Sequence, residues 1–102
     1  MFRVRLTDEA LDDLRRLEDF LIDRALDSGD LRLPIRAVAA IRRELALLER
    51  NPFTCRMAAD DPHERELVIP FGPSGYVALF HIIGPEDVVV SALRHQREDD
   101  FH

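Results

Sequence analysis

A chain of 102 residues has the length of one domain and can bury about two-thirds of its unfolded surface, enough for a core without staples. One cysteine, Cys55, excludes an internal disulfide framework, and no apolar run reaches the roughly 20 residues that span a bilayer. The formal net charge of -6, with every basic residue an arginine, argues against a protein that grips nucleic acid through a broad basic patch.

The start, MFRVRLTDEA, lacks the charged-then-apolar design of a signal peptide, so the expectation is a soluble cytoplasmic protein that makes no membrane contact. Residues 2–6 alternate Phe2, Val4 and Leu6 with Arg3 and Arg5, the period of a strand with one buried face. Thr7 is placed to cap a first helix, with Asp8, Glu9, Asp12 and Asp13 at the positive end of its dipole. Leu11, Leu14, Leu17, Leu21 and Ala25 recur at helical spacing until Ser28-Gly29 ends the run.

Pro34 suits the first turn of a second helix, whose stripe of Val38, Ile41, Leu45 and Leu48 stops at Asn51-Pro52. The short connection makes the two helices an antiparallel hairpin. Residues 52–64 show no period and read as a loop. Three apolar runs at 66–71, 76–83 and 88–94, joined by GPSG and GPED turns, then predict an antiparallel meander. The expected fold is a single α+β domain over residues 1–102, ordered β-α-α-β-β-β, with the hairpin on one face of an antiparallel sheet. The edge that the first strand joins is not set by the pattern. Two helices cover one face only, leaving the other partly open.

The element order, with RNPF closing the second helix, RELVIPFGPSGYVALFHI in the middle strands and VVVSALRHQREDDF at the end, resembles the RelE/ParE superfamily of type II toxin-antitoxin modules. The last two elements are most similar to the ParE-like branch of plasmid stabilisation proteins. That resemblance implies a toxin held in a hetero-oligomer by a cognate antitoxin. Its target would be DNA gyrase for a ParE-like member, or the ribosome for a RelE-like mRNA endonuclease. A third alternative is a degenerate member that binds antitoxin without toxicity. Nothing in the resemblance implies a cofactor, or stable direct DNA binding by the toxin alone.

Metal-free RNA cleavage needs cations on the phosphate and a group that moves protons near neutral pH. Arg65, Arg94 and His95 are the candidates for those roles, and with Arg97 they are also the candidate target-binding groups. The lysine-rich segment and C-terminal tyrosine common in ribosome-dependent members are replaced here by Arg56 among Asp60, Asp61 and Glu64, and by Phe101. This favours the ParE-like reading.

The histidines His63, His81, His95 and His102 follow no zinc-ligand spacing, so no metal is expected. His81 shares a face with Val77, Leu79 and Ile83 and reads as a core or edge residue, and Tyr76 as a packing residue. Phe20, Ile22 and Leu26 lie off the main helical stripes and are the candidate antitoxin contacts.

Overall fold

The computed structural model describes residues 1–97. Its elements are β1 (Arg3–Leu6), α1 (Asp8–Ser28), α2 (Leu33–Leu47), a single 3₁₀ turn (Pro52–Thr54), β2 (Arg56–Met57), β3 (Glu64–Phe71), β4 (Ser74–Ile83) and β5 (Asp87–His95). The sheet runs β1-β5-β4-β3-β2. The meander β3-β4-β5 is antiparallel, as the period-2 runs and their turns require. β1 joins β5 in parallel, so the sheet as a whole is mixed. The segment read as a loop contributes β2, whose two residues pair with Glu66 and Arg65.

Thr7 caps α1 with a side chain that accepts from the Ala10 N–H at 3.1 Å, removing one of the unpaired donors of the first turn. Gly29 ends the helix in the left-handed region at φ 81, a conformation that costs a side-chain-bearing residue more. Between the caps, Ala10, Leu14, Leu17, Leu21 and Ala25 are buried. Leu11 is partly exposed, and Ala10 takes its expected place in the core. From α2 and its C-cap, Ala37, Ile41, Leu45 and Leu48 meet Ile69, Phe80, Ile82, Val88 and Val90 of the sheet in one cluster.

The hairpin between β3 and β4 turns on Gly72, at φ 60, followed by Pro73. A positive φ and then a proline suit the II′ turn, whose twist matches that of paired strands. Gly75 sits against β3 so closely that a Cβ would collide with the Ile69 carbonyl oxygen.

β5 carries a bulge. Val90 pairs with Phe80 and Ala92 with Leu79, so Ser91 is an extra residue. Before the bulge Val88 and Val90 face the helices; after it Leu93 and His95 do, across from Ala78 and Tyr76. Arg94 therefore lies on the open face with Val77.

β1 ends opposite Val90, and α1 takes over the edge of β5 from there. The Thr7 N–H donates to the Val90 carbonyl at 2.9 Å, and its hydroxyl to the Ser91 carbonyl at 3.4 Å. The Leu93 N–H donates to the buried carboxylate of Asp13 at 2.9 Å. A helix side chain thus completes a ladder bond that a neighbouring strand would otherwise make.

Candidate functional site

A groove of about 610 Å³ opens between α1 and the β3–β4 turn. Leu17, Leu21, Phe71 and Tyr76 supply apolar walls; Arg16, Arg24 and Arg97 supply cations. Phe20, 57% exposed, stands at its side with the Arg24 guanidinium 5.9 Å from its ring centroid. Cations around an apolar trough suit an extended or helical peptide that alternates apolar and acidic groups.

His95 closes one end of this groove. Its ring packs edge-on to Tyr76 at 5.7 Å. Nδ1 accepts from the Arg97 backbone N–H at 3.1 Å, and Nε2 lies 3.1 Å from the Ser74 hydroxyl. An accepting Nδ1 puts the proton of the neutral ring on Nε2, which donates to Ser74. The pair thus has the wrong tautomer for a serine nucleophile activated by histidine, whose Nε2 must accept. It acts as a clasp that holds the end of β5 to the start of β4, reinforced by the Gln96 N–H on the Gly75 carbonyl at 2.8 Å. Burial pushes the Tyr76 hydroxyl above its ordinary range, which suits packing.

The candidates Arg65, Arg94 and His95 do not converge. Arg65 pairs with Phe80 and faces the helix side, whereas Arg94 pairs with Val77 and faces the open side. His95 shares the helix side with Arg65 but pairs with Tyr76, four residues along β4, about 13 Å away at strand rise. A shared phosphate-binding pocket, expected from the sequence, is therefore not formed by these three groups.

Arg65 instead organises the preceding segment. Its Nη1 donates to the carbonyls of Phe53 at 3.1 Å and Cys55 at 2.7 Å, its Nε to that of Pro62 at 2.7 Å. The guanidinium lies 5.5 Å from the Phe53 ring centroid. Burial raises the Cys55 thiol above its usual range, and the Arg65 charge partly offsets this. On the open face Glu66 sits between two arginines, 3.0 Å from Arg56 Nε and 4.0 Å from Arg94 Nη2. Arg94 also donates to the carbonyls of His95 and Gln96, both at 3.3 Å. His81 is half-buried on this face, and Val77 is buried there.

Of the three apolar residues read as antitoxin contacts, only Phe20 lines the groove. Ile22 and Leu26 are turned about 160° and 120° from it, at about 100° per helical residue. The sequence reading missed Arg16, Arg24 and Ser74, although Arg16, Phe20 and Arg24 stand four apart, the spacing of one helix flank. The acids at 98–100, Phe101 and His102 lie outside the described residues. Among the described residues no cluster of His, Cys, Asp or Glu could hold a metal, and no helix is long and apolar enough to cross a membrane.

Comparison with known families decides the identity. The family model described as ParE toxin of type II toxin-antitoxin system, parDE, matches residues 4–100. The chain belongs to the ParE toxin family. Among solved structures it is similar to the chromosomal ParDE TA system from P. aeruginosa, with TM-score 0.68 and 19% identity over 93% of this chain and 96% of that one. At that identity the likeness speaks for the fold. No curated protein sequence matches. The ParE family match runs from within β1 to beyond β5, so the groove and the open face both lie within the matched region.

Proposed function

We propose that this ParE family toxin acts in the cytoplasm without turnover of its own, by binding DNA gyrase, and that a cognate antitoxin neutralises it in a hetero-oligomer. The observation that carries the partner half is the groove, where Phe20 and apolar walls stand beside Arg16, Arg24 and Arg97. An amphipathic antitoxin segment with acidic residues would bury its apolar side there and match the cations. The target half is supported by the family and by the separation of Arg65 from Arg94 and His95, which leaves the nuclease parts unassembled. Arg94, His95 and Arg97 at the end of β5 are contact groups for an anionic surface of the target.

The test is direct. Purified protein should inhibit gyrase supercoiling, should leave mRNA intact on ribosomes, and should co-purify with the small protein encoded beside it. Phe20→Asp should weaken that complex at least tenfold while the fold is retained. Ribosome-dependent cleavage by the wild type would replace the gyrase reading with the nuclease one. An antitoxin complex indifferent to Phe20→Asp would move the antitoxin off the groove.

A further inference from the structure

The groove beside α1 is set apart by its charge. The chain carries 20 acidic residues, eight of them on α1, yet among the described residues no Asp or Glu lines the groove, whereas Arg16, Arg24 and Arg97 do. All three arginines are exposed. Among the described residues no carboxylate forms an ion pair with Arg24 or Arg97. Cations gathered at one groove repel one another, and a multiply charged anion relieves that repulsion.

The groove also offers flat apolar surface. Phe20, 57% exposed, stands on α1 one turn, about 6 Å along the axis, from both Arg16 and Arg24. Phe71 and Tyr76 come from the sheet side, their ring centroids 6.2 Å apart. At the end closed by His95, Nε2 donates to Ser74 Oγ, so the proton of that hydroxyl is left to donate to an oxygen in the groove.

We propose that the groove binds a nucleoside polyphosphate, with the base against Phe20 and the phosphates on the arginines. A guanidinium gives a phosphate two parallel N–H donors, and an aromatic face stacks any base. A single carboxylate on an apolar tail would answer one arginine and leave the others, whereas a phosphate chain carries several charges. The groove's volume of about 610 Å³ falls within the range of small-molecule sites, about 300 to 1,000 Å³. Because the antitoxin segment is assigned to the same trough, nucleotide and antitoxin exclude each other, and nucleotide favours release of the toxin. This consequence rests on the antitoxin reading; binding of nucleotide by the free chain does not.

Isothermal titration calorimetry of the full chain with ATP, adenosine and inorganic triphosphate, at about 0.15 M salt to screen loose charge contacts, tests the proposal. ATP should bind one to one, and adenosine and inorganic triphosphate should each bind at least tenfold more weakly. Arg24→Gln with Arg97→Gln should weaken ATP at least tenfold with unchanged circular dichroism, since both side chains are exposed. Phe20→Leu keeps an apolar side chain but removes the ring; it should weaken ATP at least fivefold and leave inorganic triphosphate unchanged. Absence of ATP binding up to about 5 mM overturns the proposal. Equal binding of ATP and inorganic triphosphate overturns the nucleotide, and ATP binding that ignores the arginine and Phe20 changes overturns the groove. Antitoxin titrated in the presence of ATP should bind more weakly as ATP is raised. If ATP binds as described while antitoxin affinity is unmoved, the shared occupancy fails and the nucleotide site stands. If Phe20→Asp breaks the antitoxin complex and ATP does not bind, the nucleotide site fails and the antitoxin reading stands.

Discussion

Arg65 and Arg94 are half-buried arginines of one sheet, and they differ in what holds them. Arg65 binds three backbone carbonyls in and after the 3₁₀ turn and stacks on Phe53. Arg94 lies across the open face between Glu66 and the carbonyls that end β5. The first is committed to fixing the chain's own backbone. The second is held by one ion pair and two longer carbonyl contacts. An arginine's role follows from which acceptors it satisfies, and two half-buried arginines can be a brace and a contact.

Arg65→Ala is the sharpest test of the brace, because it removes three hydrogen bonds at once, one of them to a part-buried carbonyl. A loss of about 3 kcal/mol is expected, with melting lowered by about 12 to 24 °C for a domain of this size. Arg65→Lys should recover little, since an ammonium cannot reproduce the planar fork. If thermal unfolding is unchanged, Arg65 is no brace. Asp13→Ala follows, at about 2 kcal/mol, because it leaves the buried Leu93 N–H without its acceptor; amide exchange at Leu93 should accelerate beyond that of its neighbours.

Arg94→Ala tests the other half of the comparison. Stability should fall by about 1 to 2 kcal/mol, less than for Arg65→Ala because Glu66 keeps Arg56 as a partner, while growth inhibition in cells should drop at least tenfold. A variant that melts early yet retains toxicity would exchange the roles given to the two arginines.

The smallest effect concerns pH. Burial raises the Tyr76 hydroxyl above 10.0, so the folded chain holds a proton that the unfolded chain releases. That contribution is fully present below pH 10 and is lost as pH rises through the folded value. The chain has one tyrosine and no tryptophan, so phenolate absorbance reports this group directly. Its midpoint should lie above that of the unfolded chain, and Tyr76→Phe should flatten the alkaline end of the stability curve.

Much of this architecture was legible in the sequence. The helical stripes, both caps of α1 and the Gly-Pro turn were marked by residues whose local physics leaves little choice. The face of Arg65 could be counted from its phase with Leu67, Ile69 and Phe71, but it was grouped with Arg94 and His95 instead. Arg94 was not legible. In VVVSALR every residue up to Leu93 is apolar or small, so no alternation betrays the bulge at Ser91. Counting by twos from Val88 sends Arg94 to the wrong face. β2 was hidden for another reason, since two exposed residues give no period. The groove was only half visible, because the four-residue spacing of Arg16, Phe20 and Arg24 says nothing of the turn that faces them.

The parallel pairing of β1 with β5 has a kinetic consequence. It joins residues such as Arg3 and Asp87, 84 positions apart, whereas the meander and the helix hairpin are built from near neighbours. Long loops close slowly, since their entropy must be spent before the contacts form. The local pieces can assemble while β1 still lacks its partner, and β5 is made after every strand it pairs with. The sheet therefore closes only after β5 has emerged, and His95 at its end takes its place beside α1 late in folding.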